Sequence, residues 1–376
     1  MEPEDAAGYD WPADRKSRDP ERRRATMKWT HALAERGWVA PHWPKEYGGA
    51  GLTTWEMFVF TEEMANAGVP MAGGIGVTLL GPTLVEHGSE EQRREHLPKI
   101  LSGETVWAQG FSEPGAGSDL ASLTTRAVRD GEIYVVDGQK IWTSHAQYAD
   151  WLFILARTDP EAPKHRGISF LMMDINTPGI TVRPITDMRG GQPFSEVFLE
   201  NVRVPVANRV GEENRGWYVG MATLDFERSG IGGTIKYRQV LGHLVGLARK
   251  ARNGGARHLR ADNRDLLRHE IAQREIETRV LYNLALRTVS MQAAGQIPNH
   301  EASINLLFSS EVHQRLARTG MKTFGLYGNL WQREWAPLGA ELTHDYAAAV
   351  AHTVLSGTSE VQRNVIATRG LGLPRA

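Results

Sequence analysis

Two charged residues, Glu227 and Arg228, lie next to each other in the stretch LDFERSGIGG, residues 224–233, which is otherwise mostly apolar or small. A glutamate whose carboxyl group is buried can act as a general base near neutral pH, because burial raises its pKa. The structural alternative is an ion pair between Glu227 and an arginine such as Arg238. Adjacent residues of a helix do not face each other, so Arg228 is disfavoured as that partner. Both roles, base and ion pair, remain open on these residues alone.

A second stretch, GFSEPGAGSDLAS at residues 110–122, has the composition of a ligand-binding loop. Its small residues at 115–118 would let backbone N–H groups approach a ligand closely. The hydroxyl groups of Ser112 and Ser118 can bind phosphate or the polar edge of a ring. Taken alone, the stretch is better explained as an ordinary turn between two domains.

Two further segments favour the ligand-binding interpretation. QKIWTS, residues 139–144, carries an indole next to two hydroxyl groups on a predicted strand. LSGTSEVQRNVIATRGLG, residues 355–372, predicts a helix capped by Thr358, and the N-terminus of such a helix attracts anions. The three segments together favour a ligand-binding site over an ordinary turn.

Composition excludes several classes of chemistry. The 376 residues contain no cysteine, which excludes disulfides, thiolate nucleophiles, iron–sulfur clusters and cysteine zinc sites. None of the 13 histidines occurs in an HExxH motif, so a zinc hydrolase is not expected and no metal site is predicted. With 43 basic and 44 acidic residues, the net charge of -1 gives no electrostatic reason for binding nucleic acid.

The chain also lacks the sequence features of a membrane or exported protein. Its N-terminus is acidic and has no apolar segment typical of a signal peptide. No apolar run approaches the ~20 residues that a membrane-spanning helix requires. We therefore expect a soluble, cytoplasmic protein with no membrane span. A hydrophobic content of 41% is sufficient for a large core, divided over two or three folding units.

Three blocks of different character must position these segments. From about residue 26 to 103 the pattern is mostly helical, and Ser89 and Gly103 are predicted to begin and end one short amphipathic helix. Residues 106–211 contain β-branched and aromatic runs such as WLFILA and ISFLMMDI, which predict strands. After residue 216 helical spacing returns.

Local signals refine these blocks. The dipeptide DG at 130–131 and at 137–138, and TPG at 177–179, predict turns between strands. Ile276, Val280 and Leu284 recur every four residues, which predicts an amphipathic helix.

Strands confined to one block between two helical blocks argue against an alternating βαβ fold. We predict an α+β fold with an N-terminal helical domain at 1–105, a middle β domain at 106–215 and a C-terminal helical domain at 216–376. GIGVTLLG, residues 74–81, is close to the dinucleotide-binding fingerprint, but it follows no predicted strand and its third glycine is misplaced. It therefore carries little weight.

The segments SEPGAGSD, KIWTS and GTSEVQRN, in this order, resemble the acyl-CoA dehydrogenase family, and the resemblance extends from about residue 38 to 373. It implies that family's architecture: an N-terminal helical domain, a middle β-barrel-like domain and a C-terminal four-helix bundle, with the active site where the three meet. The order of helical and strand-rich blocks agrees with this architecture.

The resemblance also implies an FAD enzyme that oxidises an acyl-CoA thioester to the trans-2-enoyl-CoA. A carboxylate removes the α-proton while the β-hydrogen leaves as a hydride to flavin N5, since no amino-acid side chain accepts a hydride. The implied cofactor-binding residues lie in the three segments: Gln109, Phe111, Ser112, Gly117, Ser118, Trp142, Thr143, Ser144, Thr358 and Glu360. The residues implied to contact the acyl-CoA are Ser118, Asp225 and Arg228.

Within this set the resemblance implies separate roles. Gln109, Phe111 and Ser112 would line the isoalloxazine, although Phe111 is bulkier than the usual aliphatic residue. Trp142 would pack against the flavin ring, with Thr143 near N5. Ser144 would also lie near N5, Ser118 near the pyrophosphate or the CoA, and Thr358 and Glu360 at the adenosine.

The position of the base distinguishes members of the family. Many carry a glutamate directly before the terminal GTS, where this chain has Ser356, which is too weak a base. A minority, including isovaleryl and long-chain types, carry it on the helix after the β domain, directly before an arginine. Glu227 stands at that position, so the resemblance implies that it is the base. This placement favours branched, long or bulky acyl groups.

Two segments depart from the family pattern. RNGGARHLRADNR, residues 252–264, does not match the Arg-x-x-Phe-Gly that holds FAD across a subunit interface in many members. The turn that touches the neighbouring subunit's FAD reads FGLYG, residues 324–328, with Lys322 and Leu326 at positions that usually differ. The resemblance therefore leaves open a homo-oligomer, dimer or tetramer, and a heterotetramer of unlike subunits in which this chain supplies the base.

The remaining partners and alternatives follow from the same resemblance. It implies an electron-transfer flavoprotein as the electron acceptor. A flavin-dependent monooxygenase on the same fold is compatible with Ser356 and His145, whereas Glu227 beside Arg228 argues against it. A non-catalytic subunit that has lost the chemistry would bind little or no flavin.

Overall fold

The computed structural model describes residues 9–225, 231–252 and 264–374. The chain forms two compact units: unit 1 is Met1–Thr53 with Gly68–Glu227, and unit 2 is Thr54–Ala67 with Arg228–Ala376. No helix within the described ranges is long and apolar enough to cross a membrane.

The order of elements follows the three blocks of the sequence. Helices precede and follow a continuous run of strands, which confirms the predicted helical, β and helical sequence of domains in an α+β fold. The α-helices of the described chain are α1 (Trp11–Arg15), α2 (Pro20–Ala34), α3 (Thr54–Asn66), α4 (Gly81–His87), α5 (Glu90–Leu101), α6 (Gly216–Asp225), α7 (Ile231–Arg252), α8 (Arg264–Ala293), α9 (His300–Phe324), α10 (Glu341–Ala349) and α11 (Ser359–Val365). The strands are β1 (Trp107–Gly110), β2 (Arg126–Asp130), β3 (Ile133–Ser144), β4 (Trp151–Arg157), β5 (Ile168–Asp174), β6 (Ile180–Ile185), β7 (Phe194–Pro205) and β8 (Arg209–Val210).

Helix α5 of unit 1 begins and ends where the sequence predicts. The Ser89 side chain accepts a hydrogen bond from the backbone N–H of Gln92, and the Gln92 side chain accepts one from the N–H of Ser89. This capping box satisfies two donors that a helix start leaves free. Gly103, just after the helix, has a φ of +72°, as expected of a terminating glycine.

The glycine-containing stretch at residues 74–81 is helical. A π-helical turn at Gly76–Leu80 runs directly into α4. Because no strand leads into this stretch in the structure, it is not a dinucleotide-binding turn.

The strands of unit 1 form one sheet in the order β6-β7-β3-β2-β4-β5-β8, and β1 pairs in parallel with β4. Five successive residues of β4 and six of β5 are buried, because both strands carry uninterrupted apolar runs. Every residue of the edge strand β6 is half-buried or exposed. The most deeply buried part of the sheet therefore lies at β4 and β5.

Two of the three predicted turns are confirmed. Asp130–Gly131 joins β2 to β3, and TPG at 177–179 lies between β5 and β6. The turn predicted at 137–138 is wrong, because β3 continues through it. The pairing of β3 with β7 shifts register between Val136 and Gly138, so this glycine marks an irregularity within the strand.

The described residues of unit 2 form a helical bundle that contains two apolar clusters. Helix α3, although it comes from the N-terminal part of the sequence, packs against α7 and α8 through a cluster of Phe58, Ile231, Ile235, Ala285 and Val289. The larger cluster contains residues of the four helices α7, α8, α9 and α10. It consists of Tyr237, Val240, Leu241, Leu244, Leu281, Val312, Leu316, Phe324 and Leu342.

The apolar repeat of α8 does not form its buried face. The helix itself is confirmed, but Ile276 is 57% exposed and Val280 is 41% exposed in the single chain. The buried apolar residues are Leu281, Ala285 and Val289, which follow the repeat by one position. Helix α8 thus carries apolar side chains on two faces.

Candidate cofactor site

The predicted base lies outside the described residues. Glu227 and Arg228 fall in the interval 226–230, between α6 and α7. Asp225 is the last residue of α6, and only its backbone is described. Those three substrate-site assignments therefore stay predictions, and the geometry below concerns the predicted cofactor-binding residues.

Gln109 lies on β1, opposite Phe153 of β4. Its Nε2 atom is buried and has no hydrogen-bond partner within the described part of the chain. A buried amide without a partner costs about 1–3 kcal/mol, so such an atom normally meets a bound group or water.

The loop after β1 is closed tightly and leaves its glycines accessible. The backbone N–H and C=O groups of Glu113 and Ala116 form two mutual hydrogen bonds of 3.0 Å. A methyl group added at Gly115 or Gly117 would meet nothing within 4 Å. Gly117 and Ser118 are exposed, so backbone and hydroxyl groups of this loop are available to a ligand.

The ring of Phe111, a predicted cofactor-binding residue, is buried within the β domain. Its ring is only 7% exposed and makes edge contacts with Phe153 at 5.9 Å and Phe170 at 6.1 Å, between ring centroids. The side chain therefore belongs to the core of the β domain, because an aromatic ring gains more from burial there than from exposure. The predicted contact of Phe111 with the isoalloxazine stays a prediction.

An irregularity near the end of β3 determines where its functional side chains point. Lys140 pairs with Val197, whereas Thr143 pairs with Ser195, so β3 has one extra residue. Trp142 has a φ of +60°, which non-glycine residues rarely adopt, and its side chain is 55% exposed. Thr143 is buried, and its Oγ1 has no hydrogen-bond partner among the described residues.

A backbone hydrogen bond joins the β1 loop to this bulge. The N–H of Ile141 donates to the carbonyl oxygen of Ser112 at 2.9 Å. Ser112 and Ser144 are half-buried on the two segments. The structure thus brings the predicted residues 109–118 and 142–144 together at the same end of the β domain.

A buried ion pair, which the sequence did not reveal as a unit, lies beneath both segments. The Nζ atom of Lys140 is 2.8 Å from Oε1 of Glu113, and neither side chain is more than 4% exposed. Burial alone raises the pKa of the Glu113 carboxyl, but the Lys140 ammonium and the donors of Thr125 and Thr124 hold it at about 2. Burial lowers the pKa of the Lys140 ammonium to about 8, although the Glu113 carboxylate opposes this shift. Both groups are charged at neutral pH.

The lysine stem leaves little space at the end of β1. A methyl group at Gly110 would lie 3.0 Å from Cγ2 of Ile154 and 3.3 Å from Cγ of Lys140. A side chain at this position would therefore require Ile154 and Lys140 to shift by a few tenths of an ångström.

Thr358 and Glu360 belong to unit 2, at the N-terminus of α11. The Thr358 side chain accepts a hydrogen bond of 3.2 Å from the N–H of Val361, which confirms the predicted cap. Glu360 is exposed in the first turn. Ser356 and Gly357 before the cap have φ values of +56° and +104°. The proposed contacts of Thr358 and Glu360 with adenosine stay a prediction.

The unit 1 residues fit a flavin. Gln109 Nε2 and Thr143 Oγ1 are buried polar atoms without partners in the described chain, and the edge of an isoalloxazine ring carries groups that could bind them. The exposed indole of Trp142 offers a flat apolar surface for the ring. Among the described residues, no group of three or more His, Cys, Asp or Glu side chains could hold a metal ion.

Family models match nearly the whole chain. The model described as "Acyl-CoA dehydrogenase, N-terminal domain" matches residues 12–104, the middle-domain model matches 108–202, and the C-terminal-domain model matches 214–371. The three matches occur in the same order as the helical, β and helical blocks of the structure.

Individual relatives agree with the family models. "Acyl-CoA dehydrogenase IpdE1" of Mycobacterium tuberculosis is 39% identical over 362 residues, which cover 94% of this chain and 89% of the relative. The solved structure of the "Tcur3481-Tcur3483 steroid ACAD" is 35% identical, with a TM-score of 0.84 over 93% of this chain and 89% of that one. The ChsE4-ChsE5 complex from Mycobacterium tuberculosis is also 35% identical, with a TM-score of 0.79 over 99% of this chain and 96% of that one.

Proposed function

Because the chain belongs to the acyl-CoA dehydrogenase family of FAD-dependent oxidoreductases, we propose that it oxidises a CoA thioester to the trans-2-enoyl-CoA with Glu227 as the base. The observation that carries the flavin site is the pair of buried, unpartnered polar atoms, Gln109 Nε2 and Thr143 Oγ1, beside the exposed indole of Trp142. When bound, FAD supplies at N5 the hydride acceptor that no side chain can provide.

The side chains of unit 1 bind and orient the cofactor in this proposal. The Gln109 amide and the Thr143 hydroxyl form hydrogen bonds to the polar edge of the ring, which satisfies both buried atoms. Trp142 covers one face of the ring and excludes water from it. The hydroxyls of Ser112 and Ser144 and the exposed loop at Gly117 and Ser118 bind the remaining polar groups.

Glu227 takes the α-proton onto its carboxylate. The commoner base position is occupied by Ser356, whose hydroxyl has far too high a pKa to remove a proton near neutral pH. A glutamate enclosed by substrate and cofactor loses water, and this raises its pKa toward the value that a general base requires. Asp225 and Arg228, on either side in the sequence, contact the acyl-CoA.

We propose a bulky, steroid-type acyl group as the substrate. The base position on the earlier helix favours bulky acyl groups, and one of the solved structures with 35% identity is that of a protein named as a steroid ACAD. A polycyclic acyl chain presents a large rigid apolar surface, so its binding energy would come mainly from apolar burial.

We further propose that this chain works with an unlike subunit and passes electrons to an electron-transfer flavoprotein. Two solved structures with 35% identity each name two different proteins. The turn at 324–328 would complete the flavin site of a neighbouring subunit. A small residue would be needed there for the turn to approach that flavin closely, but the chain has Leu326, which is 83% exposed. A single type of subunit would therefore complete that site poorly.

The test is an anaerobic absorbance titration of the purified flavoprotein with acyl-CoAs, including a steroid-derived one, for the unchanged protein and for Glu227→Gln. We expect rapid bleaching of the flavin in the unchanged protein and a loss of about 10²–10⁴-fold in rate in the variant, with flavin still bound. Glu212→Gln, at an exposed position before α6, is the matched control and should bleach normally. Bleaching by Glu227→Gln at the normal rate would assign Glu227 a structural role.

Native mass spectrometry tests the subunit proposal. We expect this chain alone to bind little FAD, and full occupancy to require the unlike subunit. A fully flavinated homo-oligomer of this chain alone would contradict the proposal.

A further inference from the structure

Lys140 has the lowest exposure of all charged side chains in the described residues, and the proposed reaction makes no use of it. An unpaired cation in a protein interior is strongly unfavourable, whereas a whole buried ion pair is often replaceable by apolar residues of similar size. Lys140 lies at the start of the bulge in β3, so its charge can fix the position of that bulge.

The ammonium group of Lys140 uses all of its donors. It donates to Oε1 of Glu113 at 2.8 Å, to the carbonyl oxygen of Leu155 at 2.7 Å and to the carbonyl oxygen of Phe111 at 3.3 Å. Three acceptors match the three N–H bonds of an ammonium. A methionine of similar length would leave two of these acceptors, the backbone carbonyls, without their donor.

Glu113 is held with equal completeness from the other side. Its Oε2 accepts hydrogen bonds from the N–H of Thr124 at 2.7 Å and from the hydroxyl of Thr124 at 2.8 Å. Its Oε1 also accepts one from the N–H of Thr125 at 2.9 Å. Charged hydrogen bonds with fixed directions leave a side chain little freedom.

These contacts join pieces of chain that are distant in sequence. Phe111 and Glu113 belong to the loop after β1, Leu155 to β4, and Lys140 to the start of the bulge in β3. The neighbouring backbone bond from Ile141 to Ser112 joins the same loop and bulge. Beyond these anchors lie the two groups of residues assigned to the flavin.

We propose that Lys140 and Glu113 are positioning residues for the flavin: their ion pair fixes the loop at 111–118 against the bulge at 140–143, so that Gln109, Trp142 and Thr143 face one ligand together. The inference rests on the flavin site under the proposed function. It follows from preorganisation, because a site binds tightly only when buried contacts lock the elements that carry its contact groups.

The test compares FAD affinity with protein stability across one set of variants, using the chain with whatever partner subunit it needs to bind flavin. Lys140→Met removes the cation, and Lys140→Met with Glu113→Gln removes both charges. Tyr134→Phe is the matched control, since Tyr134 is fully buried on the same strand and its hydroxyl bonds to Glu213 and Arg209, away from the bulge. Each apoprotein is titrated with FAD by fluorescence, and thermal unfolding is followed separately.

We expect the double variant to recover much of the stability that Lys140→Met loses, because no uncompensated charge remains. FAD affinity should stay at least ~10-fold reduced in the double variant, a change of ~1.4 kcal/mol, because the Phe111 and Leu155 carbonyls still lack their donor. The visible spectrum of the flavin that does bind should differ from that of the unchanged protein. Tyr134→Phe should lower stability and leave FAD affinity unchanged.

Two results would overturn the inference. One is a loss of FAD affinity that is proportional to the loss of stability in every variant, including Tyr134→Phe. The other is normal FAD affinity in the double variant. If Lys140→Met does not fold, the double variant and Glu113→Gln carry the same comparison. Trp142→Ala separates the inference from its premise: if this variant binds FAD normally, the proposed site itself is wrong.

Discussion

The two units each contain a buried pair of opposite charges, and the two pairs are built differently. In unit 1, Lys140 and Glu113 meet at 2.8 Å, and every contact has hydrogen-bond geometry. In unit 2, Nε of Arg274 lies 3.0 Å from Glu277 and Nε of Arg315 lies 3.1 Å from the same carboxylate. Those two nitrogens nevertheless have no partner with hydrogen-bond geometry in the described chain.

The difference shows that a short distance between charges does not by itself fix structure. The ammonium of Lys140 directs its bonds at two backbone carbonyls and so determines the position of two chain segments. The Nε atoms of Arg274 and Arg315 face one carboxylate at unfavourable angles, and the hydrogen bond that Arg315 makes through Nη1 goes to the Glu311 side chain at 3.3 Å, so neither Nε atom directs a backbone segment. Direction, more than proximity, separates a group that positions a site from one that balances charge.

Among variants that test this comparison, we expect Lys140→Met to change the free energy of unfolding most. Removing the cation leaves the Glu113 carboxylate buried and unpaired, which should lower the free energy of unfolding by about 3–5 kcal/mol. Urea unfolding of the apoprotein, followed by circular dichroism, measures this. A loss below about 1 kcal/mol would show that the pair is no stronger than a surface salt bridge.

Acid should weaken the unit 1 pair in a defined range. The pKa of Glu113 is lowered from 4.5 to about 2, because the Lys140 ammonium and the hydrogen-bond donors outweigh the effect of burial. Its stabilising contribution is therefore complete above about pH 4.5 and is lost as the pH falls toward about 2. The difference in unfolding free energy between the unchanged protein and Glu113→Gln should narrow over this interval. Two parallel pH curves would contradict the assignment.

Arg274→Met tests the unit 2 pair. We expect a loss of only about 1–2 kcal/mol of unfolding free energy, because Arg315 still faces Glu277 and the lost contact has poor geometry. The same urea measurement applies. A loss as large as that of Lys140→Met would break the comparison, since it would make direction irrelevant.

The smallest effects concern one helix cap in each unit. Ser89→Ala removes the reciprocal capping box of α5 and should lower the unfolding free energy by about 1 kcal/mol. Thr358→Ala removes a single bond of 3.2 Å at α11 and should lower it by roughly 0.5 kcal/mol. Thermal unfolding of the two variants would show the order, and the reverse order would contradict it.

Local patterns in the sequence predicted the elements well. Uninterrupted apolar runs identified β4 and β5, and Ser89 and Thr358 identified helix starts, because these signals act within a few residues. The DG at 137–138 failed because a glycine that permits a tight turn also permits an irregularity inside a strand.

Properties that depend on distant contacts could not be predicted. Lys140 lies between Gln139 and Ile141, a pattern that resembles an exposed strand position, and its partner Glu113 is 27 residues earlier in the chain. Ile276 and Val280 form a regular apolar stripe, yet their face of α8 is exposed because α7 and α9 pack against its other side. The candidate cofactor-binding segments were predicted from motifs, whereas the burial of the Phe111 ring depends on Phe153 and Phe170.

The close approach at Gly110 constrains how related sequences can diverge. A methyl group there would lie 3.0 Å from Cγ2 of Ile154 and 3.3 Å from Cγ of Lys140, so alanine requires these side chains to shift by a few tenths of an ångström. Loss of Lys140 in turn is harmful while Glu113 remains charged. The effect of a substitution at 110, 113 or 140 should therefore depend on which residues occupy the other two positions, and a side chain at 110 must also be accommodated by Ile154.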